Sequence, residues 1–111
     1  MPSKKKPAST KRATPPRAAD YTKTFSRDWE RLEHSGRYDM KRLKEAMVLL
    51  IANDHPLGPE WLDHPLKGDW EGYRECHIGG DFLLIYQLAD VKPAGVIVFV
   101  RAGTHADLFK E

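Results

Sequence analysis

"GYRECHIGGDFLLIYQLADVKPAGVIVFVRAG", residues 72–103, decides the fold. "GYRECHI" (72–78) and "DFLLIYQLA" (81–89) flank Gly79-Gly80. Glycine accepts the positive φ that tight hairpin turns require, so the two runs read as strands joined by a short turn. Asp90 to Gly95, with Pro93 inside, forms the next turn, and "VIVFVRAG" (96–103) the third strand. The second and third runs are apolar on both faces, the pattern of strands covered from both sides. In the first run side chains alternate, placing Tyr73, Glu75 and His77 on one face and Arg74, Cys76 and Ile78 on the other.

Outward from this core the pattern changes to a helical period. Phe25, Trp29 and Leu32 recur at spacings of four and three, with Arg27, Asp28, Glu30 and Arg31 expected to face water. Ser35-Gly36 ends that helix. Asp39 suits the N-cap of a second helix, along which Met40, Leu43, Met47 and Leu50 line one side and Lys41, Arg42, Lys44 and Glu45 the other. Asn53, Asp54, Pro56, Gly58 and Pro59 stop it. A short strand around Ala19 to Thr22 precedes both helices. The expectation is an α+β domain in which a small, mostly antiparallel sheet packs on an N-terminal helical hairpin.

The chain has 111 residues, enough for one core without staples. Its single cysteine, Cys76, rules out an internal disulfide. No apolar run approaches the roughly 20 residues of a membrane helix, and the start lacks the apolar core of a secretory signal peptide. A reducing cytoplasm is the expected home. Charge is unevenly spread. Residues 1–19 carry Lys4, Lys5, Lys6, Lys11, Arg12 and Arg17 and no acid, whereas residues 20–111 carry 12 basic against 16 acidic side chains. Residues 1–18 are therefore expected to be a disordered basic tail and 19–111 the folded domain. The mildly acidic body argues against a generic nucleic-acid binder, which shows a basic face.

The reactive side chains gather where strands end. His77 precedes the Gly79-Gly80 turn and Asp81 follows it, so a two-residue turn is expected to bring the pair together. Arg101 ends the last strand, His105 stands four residues on, and His64 comes from the loop before the first long strand. Sites are usually carried at such positions. Two chemistries are open. His64, His77, Asp81 and His105 have the donor types of a metal centre, but their spacing matches no zinc signature. Alternatively, imidazoles and a carboxylate make an acid–base set that works near neutral pH, with arginine as a phosphate clamp.

"DHPLKGDWEGYRECHI", "DFLLIY" and "RAGTHADLF" closely resemble the YafQ-type toxins of the RelE/ParE toxin–antitoxin superfamily, over roughly residues 19 to 111 and in order. The resemblance implies the same fold. It also implies a type II toxin acting as a ribosome-dependent mRNA endonuclease (mRNA interferase), free of cofactor and metal, that cuts mRNA in the A site by attack of the RNA's own 2′-OH. The implied catalytic positions are His64, His77, Asp81, Arg101, His105 and Phe109, with Asp81 or His105 as base and His77 as acid. Lys67, Arg74 and Phe82 are expected to bind substrate, Phe82 standing where the family often has tryptophan. The implied partners are a cognate antitoxin, expected to be of ribbon-helix-helix type, the 70S ribosome and mRNA, with no membrane. The alternatives are a ParE-type gyrase inhibitor of the same fold and a non-catalytic RNA- or protein-binding module.

Overall fold

A computed structural model of the chain describes residues 15–53 and 56–109. The elements run β1 (Ala18–Tyr21), α1 (Lys23–Ser35), α2 (Met40–Ala52), a 3-10 turn (Pro59–Trp61), β2 (His64–Pro65), a second 3-10 turn (Gly68–Trp70), β3 (Arg74–Gly79), β4 (Phe82–Ala89), β5 (Val96–Gly103) and α3 (His105–Phe109). The strands form one five-stranded sheet in the order β1-β5-β4-β3-β2. β1 runs parallel to β5, and every other pairing is antiparallel. This is the expected α+β arrangement, with β2 as an unforeseen edge strand of two residues.

Central strand β4 shows why its sequence is apolar throughout. Phe82, Leu84 and Tyr86 join the main core beneath α1 and α2, while Leu83 and Ile85 join a second cluster on the opposite face. The period of two thus supplies two cores from one strand. In the main core Phe25, Leu32, Leu43, Ala46 and Leu50 of the helices meet Cys76, Ile78, Ile97 and Phe99 of the sheet. Leu108 of α3 completes the second cluster, with Leu66, Trp70, Tyr73, Val100 and Phe109 at its margin.

The helices begin and end where their caps dictate. Thr22 Oγ1 accepts from Phe25 N at 2.9 Å and its hydroxyl donates to Val100 O at 2.8 Å, which ties the start of α1 to β5. Gly36, at φ 69°, takes the left-handed conformation that closes α1. Asp39 accepts from Arg42 N at 2.9 Å and caps α2. One expectation fails on α1: Asp28 does not face water but is 4% exposed. It lies under β5, because a partner there supplies what water would otherwise give.

A bulge in β5 decides which way Arg101 points. Ile85 pairs with Arg101 but Tyr86 pairs with Phe99, so Val100 is an extra residue. Strict alternation would put residue 101 on the same face as Ile97 and Phe99, in the main core. The bulge instead sets Arg101 opposite Ile85, on the face of the second cluster, and returns Ala102 to the main core. Re-aiming a side chain is a common use of a bulge.

The N-terminal boundary falls slightly earlier than expected. Residues 1–14 of the anticipated basic tail lie outside the described residues. Arg17, however, is held: its N–H donates to Ile51 O at 2.8 Å and its Nη1 donates to Leu50 O at 2.6 Å, satisfying carbonyls at the end of α2. Ala18 N–H donates to Gly95 O at 3.1 Å. Residues 2–14 hold no large apolar side chain to bury, so deleting them is expected to leave thermal unfolding unchanged. Deleting through Ala18 removes these three hydrogen bonds and is expected to cost about 1–3 kcal/mol, measured by urea unfolding.

Candidate active site

Five of the six expected catalytic side chains stand around one end of the sheet. β2 brings His64 directly opposite Glu75, and His77 follows two residues further along β3 on the same face. His64 Nε2 lies 3.3 Å and His77 Nε2 3.4 Å from the same oxygen, Glu75 Oε2. Glu75 is only 4% exposed, an acid buried between two imidazoles. His64 Nδ1 is 2.7 Å from Leu62 O. A carbonyl only accepts, so Nδ1 carries the hydrogen and Nε2 faces Glu75. Leu62 holds that carbonyl in place from a left-handed conformation, φ 50°, unusual for a residue other than glycine.

The second half of the site comes from the β5–α3 junction. Thr104 Oγ1 accepts from Asp107 N and Asp107 Oδ2 accepts from Thr104 N, both at 3.2 Å, a reciprocal cap that starts α3. His105 is thereby set beside Asp81, whose Oδ1 accepts from both its Nδ1 and its backbone N–H. These two hydrogen bonds hold the Asp81 carboxyl below the usual carboxylate range, so it stays ionised and fixes Nδ1–H on His105. The Nε2 lone pair of His105 is then free to take a proton. The expected His77–Asp81 pairing is not formed. The turn residues carry Asp81 toward α3, and His77 turns to Glu75 instead.

The rings form a continuous series. Centroids are 6.1 Å apart between His64 and His77, 6.3 Å between His77 and His105, 5.7 Å between His105 and Phe109, and 6.1 Å between Phe109 and Trp70. Trp70 packs edge-on against Tyr73 at 5.3 Å, next to the Leu83–Ile85–Leu108 cluster that forms the floor.

Arg101 is tied down rather than free. Its Nε and Nη2 each donate to the Asp28 carboxylate at 3.0 Å, leaving Nη1 without a partner among the described residues. Asp28 also accepts from Ala102 N at 3.1 Å and from Arg31 Nη2 at 3.2 Å. Burial opposes ionisation of Asp28, but the Arg101, Ala102 and Arg31 donors outweigh it and hold its carboxyl below the usual range. Arg31 reaches on to Asp107 at 3.3 Å, so one chain of ion pairs links α1, Arg101 and the cap of α3.

The three expected substrate contacts diverge. Lys67 is exposed at the cap of the Gly68–Trp70 turn, three residues past His64. Arg74 alternates to the other face of β3, where Nη2 meets Asp63 Oδ2 at 3.3 Å and Nε meets the Tyr86 hydroxyl at 3.3 Å. Phe82 is 5% exposed, inside the main core with its ring 5.0 Å from that of Tyr38. Neither Arg74 nor Phe82 joins the ring series. Burial, with the Asp63 and Glu75 carboxylates nearby, pushes the Cys76 thiol up to about 12, which makes it inert. Glu75 is the participant absent from the expected set. The signal for it was present, since Glu75 and His77 share a strand face, but its partner His64 arrives on a strand of two residues that no periodicity reveals.

Comparison with known proteins gives the same answer. Residues 17–110 match the family described as "Bacterial toxin of type II toxin-antitoxin system, YafQ". The mRNA interferase toxin YafQ of Escherichia coli (strain K12) is 43% identical over 93 residues, covering 84% of this chain and 96% of that protein. The E. coli DinJ-YafQ complex superposes with TM-score 0.73 at 43% identity, over 84% of this chain and 98% of that one. A metal-bound toxin from Helicobacter pylori does so with TM-score 0.69 at 37% identity, over 83% of this chain and 98% of that one. A match across nearly all the described residues, together with the shared fold, places this chain in the YafQ family of bacterial toxins of type II toxin–antitoxin systems.

Proposed function

We propose that this toxin, an mRNA-cutting endoribonuclease like its relatives, works on ribosome-bound message by transferring protons between the RNA and two histidines. The observation that carries the reading is the pair His77 and His105. Their rings are 6.3 Å apart, each backed by a carboxylate, close enough for one phosphoryl group to meet both. His105 Nε2 takes the proton of the 2′-OH as that oxygen attacks the adjacent phosphorus. Protonated His77 gives its proton to the departing 5′-oxygen, so the products are a 2′,3′-cyclic phosphate and a 5′-hydroxyl. Asp81 orients His105, and Glu75 Oε2, 3.4 Å from His77 Nε2, places that ring. Arg101 Nη1 faces the phosphate oxygens as charge builds on them. His64 fixes Glu75 from its other side, and Phe109 with Trp70 offers faces on which a base stacks.

The acidic body supports dependence on the ribosome, since free RNA gains little from a surface with more acids than bases outside the first 19 residues. An antitoxin is the natural partner in the cell, where it silences the toxin, as DinJ pairs with YafQ in the E. coli complex. The test is purified toxin on programmed ribosomes in chelator concentrations that leave the ribosome intact, with the cut ends mapped. A 2′-deoxy nucleotide at the cut position is expected to abolish cleavage, because the nucleophile is gone. Cutting of the deoxy substrate would overturn the mechanism. Gyrase-dependent DNA breaks with intact message would overturn the activity.

A further inference from the structure

We propose that Arg31 of α1 is a positioning residue of the nuclease: by bridging Asp28 and Asp107 it fixes the base His105 relative to the phosphate clamp Arg101. The inference deepens the acid–base reading above and rests on it for the roles of His105 and Arg101. Arg31 bonds to neither of them. It acts through the two carboxylates that grip the chain between them.

Arg101 lies in β5 and His105 is the first residue of α3. A helix of five residues does not hold its own direction in water, because nucleation is costly. Its direction comes from what grips the junction. Asp28 accepts from Arg101 Nε and Nη2 at 3.0 Å and from Ala102 N at 3.1 Å. Asp107 Oδ2 accepts from Thr104 N at 3.2 Å. Residues 101, 102 and 104 thus each give an N–H to one of two carboxylates. Arg31 joins the two: its Nη2 donates to Asp28 Oδ1 at 3.2 Å and its Nη1 to Asp107 Oδ2 at 3.3 Å. A guanidinium is planar with donors in fixed directions, so this one side chain sets how far apart the carboxylates stand.

Gly103 supplies an independent observation. A Cβ there would stand 3.0 Å from Asp107 Oδ2 and 3.4 Å from Arg31 Nη2. The ion pair therefore closes over the one residue between clamp and base that has no side chain. Magnitudes assign the bridge to geometry rather than to stability. The Arg31 and Asp107 side chains are 47% and 35% exposed, and ion pairs so exposed add little to folding. Catalysis is far more sensitive, since a displacement of about 1 Å costs roughly 10²-fold in rate.

Arg31→Met and Arg31→Lys in the full-length protein test the bridge. Both are expected to melt close to the parent. Both are expected to lower kcat on ribosome-bound mRNA by about tenfold with KM little changed, because lysine keeps the charge but lacks the fork. In a His105→Ala background Arg31→Met is expected to cost nothing further, since an absent base cannot be misplaced and Asp28 still holds Arg101. Nitrogen NMR of the histidine rings reads the positioning without any RNA. The parent is expected to show His105 as one tautomer, with its hydrogen on Nδ1 toward Asp81, and Arg31→Met a mixture. Parent-like kcat in Arg31→Met overturns the proposal, as does an unchanged His105 ring signal. A full further loss in the His105→Ala background, or a melting temperature far below the parent's, makes Arg31 structural and overturns it too. Full activity in Arg31→Lys, or recovery in the charge-balanced Arg31→Met/Asp107→Asn double variant, makes Arg31 a counter-charge rather than a bridge. A parent that cuts no mRNA while its His105 signal responds to Arg31→Met leaves the positioning standing and sinks the nuclease reading instead.

Discussion

Alanine at His105 or at His77 is expected to lower cleavage of ribosome-bound mRNA by about 10²–10⁴ in kcat, the usual contribution of a general base or acid. Both side chains lie at the sheet's open end and neither belongs to either apolar cluster, so thermal unfolding should stay close to the parent's. The two variants should differ in character. His105→Ala removes the acceptor for the 2′-OH proton, so a substrate with a better leaving group at the 5′-oxygen should not restore its rate. His77→Ala removes only the donor to that leaving oxygen, so the same substrate should recover much of the loss. Equal recovery in both variants would remove the assignment of base and acid. Loss of the folded signal in both would make the residues structural.

Asp28→Ala is expected to destabilise the fold by about 3 kcal/mol, the low end of the roughly 3–5 kcal/mol seen when a buried ion pair loses one partner. The low end applies because Arg101 and Arg31 keep 23% and 47% of their side chains exposed. Part of the cost is the Ala102 N–H, which is buried and loses its acceptor. Cleavage should fall with it, since the Arg101 guanidinium is no longer held by the Asp28 carboxylate. Acid dependence gives a separate signature. The Asp28 carboxyl is held below its ordinary value, so the unfolded chain takes up that proton more readily than the folded one. Its stabilisation is present above the ordinary carboxylate range and is lost as pH falls through the folded value. Asp28→Asn keeps the side chain's size but puts a donor NH2 where one acceptor oxygen stood, so it should destabilise the fold and flatten that part of the stability–pH curve, measured by urea unfolding from pH 7 down to pH 3.

Much of this molecule could be read along the chain. Gly36 and Asp39 mark helix ends because capping is local chemistry among residues a few positions apart. The doubly apolar β4 announced a strand with cores on both faces, since period-two alternation is a property of the strand itself. The strand ends and the motifs around them put forward His64, His77, Asp81, Arg101, His105 and Phe109 as candidates. Partnership could not be read in this way. Asp28 has the look of a surface acid on an amphipathic helix, and only the approach of β5, 73 residues away in sequence, gives it Arg101 and lets it be buried. Arg101 falls on the face of the second cluster because one extra residue in β5 reverses the alternation, a register shift that depends on β4. His77 and Asp81, four apart, each found another partner: Glu75 beside His64 for the first, His105 for the second. Local spacing sets which face a side chain occupies. Which charge it meets there is settled by strand register and by what packs across it, and those exist only in three dimensions.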